Sequence, residues 1–129
     1  MKVYVASPFK RWPEALIVAE KLSLAGHSIT HKWWEKEKNN GADLNSAQCV
    51  EVALNDEQGV RDADAVVALA FPNEGCGMFV EIGMALAQDK PVYLVNGLSD
   101  ALLPPRRSVF ESLMTEISTD DLIQAVTRD

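Results

Sequence analysis

The stretch "DAVVALAF", residues 64 to 71, carries one charge, at its first residue, and none after it. A continuous apolar run of strand length suits a strand covered on both faces, the situation at the centre of a parallel sheet. "PVYLVNG" (91 to 97) repeats the pattern, and "KVYVAS" (2 to 7) is a third β-rich run. Parallel neighbours cannot be joined by tight hairpins, so the chain between such runs has to form crossovers, most often helices.

The intervening segments have the period that crossovers require. In "RWPEALIVAEKLSLAGHS", Leu16, Ala19, Leu22 and Ala25 recur at helical spacing and Gly26 supplies a stop. "SAQCVEVALNDEQGVRDA" (46 to 63) alternates apolar and polar residues at the same period, with Asp43 or Asn45 as its cap. A further helix begins near Cys76 or Gly77. "SITHKWW" (28 to 34) reads as a second strand, followed by the polar loop "KEKNNGADLN". At the end, "DALLPPRRSVFESLM" reads as loop plus helix, "TEIS" as a short edge strand and "TDDLIQAVT" as a last helix. Repeated βα units predict an α/β fold in three layers, flavodoxin-like or Rossmann-like, with a five-stranded parallel sheet in the order 2-1-3-4-5.

With 129 residues the chain fits one domain, 1–129. Hydrophobic residues at 47% and charged residues at 24% exclude disordered, collagen-like and coiled-coil classes. A net charge of -7 argues against nucleic acid as a partner, because duplex binding needs clustered Lys and Arg; small anions at a local basic spot stay open. The only cysteines, Cys49 and Cys76, have no metal-ligand spacing, and the chain opens on a strand instead of a signal peptide, so the expected location is cytoplasmic. No apolar run approaches the roughly 18 to 20 residues of a membrane span.

Such a fold binds ligands outside the carboxyl ends of its strands, where the winding reverses, here between the first and third strands. "ASPFK", "AFPNEGCG" and "NGLSD" meet there, with Tyr4 just inside. In "GCGMFVEIGMALAQ" (75 to 88) Glu81 is the sole charged residue, about one turn into a helix on that rim. A helix start favours a carboxylate, while Met78, Phe79 and Ile82 strip it of water. Two readings follow: a surface glutamate complementing the helix dipole, or a partly desolvated nucleophile or base. Asp56 stands two turns before its helix ends and either reaches over the sheet or lies on a solvated face. Asp62 and Asp64 read as turn or capping residues.

Other features weigh less. Cys76 at a helix start is either a reactive thiol or a small filler, and no suitably placed His accompanies it. "GCGMFV" fails the G-x-G-x-x-G pattern and no P-loop is present. In a strand Trp33 and Trp34 point to opposite faces, one into the core and the other toward a pocket wall or subunit contact. His27 and His31 read as ordinary loop and strand residues.

"VYVASPF", "NDEQGVRDADAVVAL" and "GMFVEIGMALAQDKPVYLV", in that order and spacing, resemble the nucleoside 2-deoxyribosyltransferase family, with its related nucleoside 5′-monophosphate N-glycosidases, over roughly residues 2 to 96. The resemblance implies that Glu81, as a dry carboxylate, attacks the anomeric carbon and forms a covalent glycosyl-enzyme. By the same resemblance Tyr4 orients that glutamate, Asp56 bonds the base and helps protonate it, and Ser7, Pro8 and Phe9 touch the sugar. Where the transferases carry an acidic stretch, this chain has "PNEGCG". Gly75 and Gly77 are more similar to the N-glycosidases, whose loop holds phosphate on backbone N–H groups. Arg106, Arg107 and Ser108 are either solvated or hold a 5′-phosphate, in a region where family members complete a neighbouring subunit's pocket; a homo-oligomer is implied.

The expected activity is cleavage of a 2′-deoxynucleoside N-glycosidic bond with retention, the deoxyribosyl group passing to an acceptor base. Hydrolysis of a nucleoside 5′-monophosphate is the alternative, and a non-catalytic nucleotide sensor the third reading. An oxocarbenium-like transition state needs one carboxylate to capture the sugar and one acid to protonate the leaving group. The chemistry calls for no metal or organic cofactor, and the partner is a small-molecule nucleoside or nucleotide.

Overall fold

The computed structural model describes residues 1–35, 44–72, 74–98 and 109–128. Strand β1 (Lys2–Ala6) leads through a 3-10 turn (Phe9–Arg11) into α1 (Trp12–Leu24) and β2 (Ser28–Ile29). A second 3-10 turn (Trp33–Glu35) precedes α2 (Ser46–Asp62), β3 (Ala65–Leu69), α3 (Cys76–Ala87) and β4 (Val92–Asn96). The chain closes with a 3-10 segment (Val109–Leu113), β5 (Thr115–Ser118) and α4 (Thr119–Arg128).

The five strands form one parallel sheet in the order β2-β1-β3-β4-β5, the order that the sequence predicts. Every residue of β3 is buried, as its uninterrupted apolar run requires of a central strand. Register sets the faces: Tyr4 pairs with Val66, and Val66 with Val92, so these side chains share one side of the sheet. Helices α2 and α3 pack together on one face, and α1 and α4 cover the other, where His27 Nε2 lies 3.2 Å from Thr127 Oγ1. At the sheet's amino edge the Lys2 backbone N–H donates to Asp64 Oδ2 at 2.8 Å, the turn role expected of Asp64.

Asn45 caps α2 through a capping box: its side chain accepts from the Gln48 N–H at 2.9 Å while Gln48 Oε1 accepts from the Asn45 N–H at 3.0 Å. Asp43, the other candidate, lies outside the described residues, as do residues 100–108 of the last loop. The described remainder of that loop is a 3-10 segment instead of a longer helix.

The second strand departs from expectation. It holds only Ser28 and Ile29, and Trp33 and Trp34 sit in a 3-10 turn where both are buried, 4% and 3% exposed, instead of facing opposite ways. The indole N–H of Trp33 donates to the Val5 carbonyl at 2.9 Å. Its ring meets Phe9 and Trp34 edge-on, with centroids 5.7 and 5.4 Å away. An extended backbone would have put one large ring in water. Curling the chain over the end of β1 buries both and satisfies the indole donor.

Among the described residues no helix is long and apolar enough to cross a membrane. The described residues also contain no group of three or more His, Cys, Asp or Glu arranged to hold a metal ion.

Candidate active site

A pocket of about 600 Å3 opens at the carboxyl ends of β1 and β3, walled by α2 on one side and α3 on the other. Tyr4, Asp56 and Glu81 line it together, as do Ser7, Pro8, Phe9, Gly75 and Gly77. Eight of the eleven site residues expected from the sequence therefore share one cavity. Arg106, Arg107 and Ser108 lie outside the described residues.

Each wall follows from local sequence. Helical spacing puts Cys49, Val52, Ala53 and Asp56 on the pocket face of α2. On α3, Gly77, Val80, Glu81 and Met84 do the same. Gly75 adopts φ 103°, a left-handed conformation open to glycine, and turns the chain abruptly into α3. Gly75 has no side chain to cap α3, and Gly75, Cys76 and Gly77 at the start of that helix line the pocket.

Glu81 belongs to the second turn of α3, past the reach of the strongest helix-end field. Its partner is Tyr4, whose hydroxyl donates to Oε2. Burial pushes the Glu81 carboxyl up to about 8; the Tyr4 hydrogen bond pulls it down and the nearby Asp56 charge adds to the rise. Burial wins. The carboxyl therefore holds its proton more tightly than a surface glutamate, where the sequence predicts a standing carboxylate. Tyr4 is 1% exposed, and burial, Glu81 and Asp56 all raise its hydroxyl well above the ordinary phenol range, so it stays a donor.

Asp56 faces the pocket instead of solvent. Its Oδ1 lies 3.4 Å from His31 Nε2, with the side chains 17% and 29% exposed. His31, read from the sequence as an ordinary strand residue, is thus a neighbour of the site. Asp62 points elsewhere and accepts from Gln58 Nε2 at 2.8 Å on the exposed face of α2. His27 lies at the opposite edge, 3.1 Å from the N-terminal amine.

The sequence reading missed a charged cluster at the mouth. Arg11 donates to Glu74 Oε2 from Nη2 at 2.9 Å and from Nε at 3.2 Å, and its guanidinium lies 4.3 Å from the centroid of the Phe71 ring. Lys10 Nζ stands 3.4 Å from Glu74 Oε1. These bonds hold the Glu74 carboxyl below the ordinary range, Arg11 first. The available signal was two cations directly after "SPF" and one acid in a loop known to meet them.

Comparison with protein-family models matches residues 3–121 to the nucleoside 2-deoxyribosyltransferase model. The chain belongs to the nucleoside 2-deoxyribosyltransferase family. Members of this family are enzymes that act on nucleosides or nucleotides as small-molecule substrates. The match extends past residue 96, where the sequence resemblance stops, into the last helix. Among solved structures, the CMP N-glycosidase BcmB of Clostridium botulinum superposes over 100% of both chains with a TM-score of 0.60 at 17% identity. At that identity the likeness concerns the fold. Comparison of the sequence with curated proteins yields no match.

Proposed function

We propose that this family member cleaves the N-glycosidic bond of a nucleoside 5′-monophosphate with retention, through a covalent glycosyl-Glu81 intermediate. The observation that carries the reading is the Tyr4 hydroxyl bonded to Glu81 inside a pocket that Asp56 also lines.

The proposed sequence starts with passage of the Glu81 proton to Asp56 within the pocket that both line, since only the carboxylate attacks. Its oxygen bonds the anomeric carbon as the carbon–nitrogen bond breaks, and Asp56 gives a proton to the departing base. Water then attacks the same carbon, its proton passes to Asp56, and Glu81 leaves as carboxylate. Atoms balance as N-glycoside plus water giving free base and sugar. Tyr4 holds the glutamate oxygen in line, and the described residues contribute every proton-transfer group that the scheme uses.

Two features favour the monophosphate and water. Glu74 is the acid nearest the position where transferases of the resemblance bind the base, and it is taken up by Arg11 and Lys10. The uncapped start of α3, with Gly75 and Gly77, offers N–H groups to a phosphate. The known neighbour's action on CMP agrees with this substrate class. Transfer of a deoxyribosyl group to an acceptor base is the second reading, favoured by the family match itself. Completion of the pocket by a neighbouring subunit, through Arg106, Arg107 and Ser108, belongs to the same proposal.

The test is to incubate the protein with deoxynucleosides, nucleosides and their 5′-monophosphates, with and without acceptor base, and to follow free base by chromatography. Release from monophosphates without acceptor is expected. Release only with acceptor selects transfer, and tight binding with no release in any arm selects a sensor and overturns the proposal.

A further inference from the structure

Gly59 lies in the interior of α2, three residues after Asp56, where glycine weakens a helix relative to alanine. Its surroundings explain the exception. A Cβ at this position would sit 2.8 Å from both Cδ1 and Cε1 of Tyr4 and 2.9 Å from Cβ of His31. Neither neighbour is a flexible chain end: the Tyr4 ring is fully buried, and the His31 atom is fixed to its backbone.

The helix is held in place at this point. Thr30 Oγ1 donates to the Gly59 carbonyl at 2.7 Å, and Lys90 Nζ donates to the Val60 and Arg61 carbonyls at 2.7 and 2.6 Å. An added methyl group would therefore move the ring more readily than the helix.

We infer that Gly59 is a positioning residue, whose missing side chain lets α2 lie directly on the Tyr4 ring and so sets the Tyr4 hydroxyl on Glu81. This rests on the reading of Glu81 as nucleophile. Ordinary carbon–carbon contact is about 3.5 to 4.0 Å, so a methyl group at 2.8 Å demands that the ring move by roughly 1 Å. A displacement of that size in a reacting geometry costs on the order of 10- to 100-fold in rate.

The experiment is a double-mutant cycle on base release, with Gly59→Ala made in the wild-type and Tyr4→Phe backgrounds. Gly59→Ala is expected to lower kcat about 10- to 100-fold with KM changed less. In Tyr4→Phe, which has no hydroxyl left to misplace, it should add less than about twofold. Additive losses in the two backgrounds, or a fully active Gly59→Ala, overturn the inference. A readout independent of turnover is the carboxyl carbon titration of Glu81 by NMR: Gly59→Ala should raise its midpoint in the same direction as Tyr4→Phe, and an unmoved midpoint counts against the inference. If Gly59→Ala does not fold, Thr30→Val, which frees the Gly59 carbonyl, is taken through the same cycle with a several-fold effect expected, and additive losses there overturn the inference. The two claims separate cleanly. Intact turnover in Glu81→Ala defeats the proposed function, whereas inactive Glu81→Ala and Tyr4→Phe beside a fully active Gly59→Ala defeat only the role of Gly59.

Discussion

The Tyr4 hydroxyl donates to Oε2 of Glu81 across 77 positions of sequence, joining the middle of β1 to the second turn of α3. One hydrogen bond thereby ties the sheet to the helix that carries the carboxyl group. It also opposes the burial that drives Glu81 toward its neutral form.

Replacing Glu81 by Ala is expected to abolish base release, by at least about 10³-fold, with nucleotide binding retained. Single-turnover assays and calorimetric titration check the two halves. In wild type, rapid denaturation during turnover should trap a sugar–peptide adduct at residue 81, visible by mass spectrometry.

The pH dependence of stability has a definite sign. Glu81 is raised from 4.5 to about 8 in the folded chain, so between those values the native state keeps a proton that the unfolded chain has released. Its stabilising contribution is complete below about 4.5 and is lost as pH rises through 8. Glu81→Gln removes that slope. The variant should match wild type near pH 4.5 and exceed it near pH 8.5, by a few kcal/mol at most. Urea midpoints across the range decide the matter, and parallel curves would count against the buried proton. For the reaction, kcat/KM should fall as pH rises past about 8, where the proton that Asp56 passes to the base is lost from the pair.

Asp56→Asn is expected to cost about 10²- to 10⁴-fold with natural bases, which need a proton to leave. With a sugar bearing a nitrophenolate leaving group the loss should shrink to a small factor, because that group departs as an anion. Equal losses on both substrates would remove Asp56 from proton transfer.

Glu74→Gln releases Arg11 and Lys10 at the pocket mouth. A several-fold lower KM for monophosphates follows, with nucleosides unchanged and the gain erased at high salt. Little change in stability is expected, about 0 to 1 kcal/mol, since Arg11 is 35% exposed and Lys10 is 73% exposed. Initial-rate kinetics at two ionic strengths measure the effect.

The parts legible in advance were those with a local periodic signal. The apolar runs announced the central strands, the spacing in 46–63 announced α2, and the lone charge in 75–88 marked Glu81. Trp33 lines the pocket, as one of the two indoles is expected to, but the β-rich composition of 28–34 does not give the extended backbone it predicts. Tertiary burial of two indoles outweighed strand propensity at a sheet edge. Arg11 and Gly59 carry no local signal, His31 reads as an ordinary strand residue and Glu74 only as a nearby acid, for a shared reason: each owes its position to a partner far along the chain.

Strand order and the location of the rim were determined by the sequence alone, because a parallel sheet with short crossovers leaves few ways to wind. Residue types in order also determined which carboxyl groups deserved attention. Which side of α2 lies on Tyr4, how dry Glu81 becomes, and whether Glu74 faces a ligand or an arginine were decided only in three dimensions. These depend on distances between elements, and packing sets such distances through every residue in contact, with no periodic trace in any one segment.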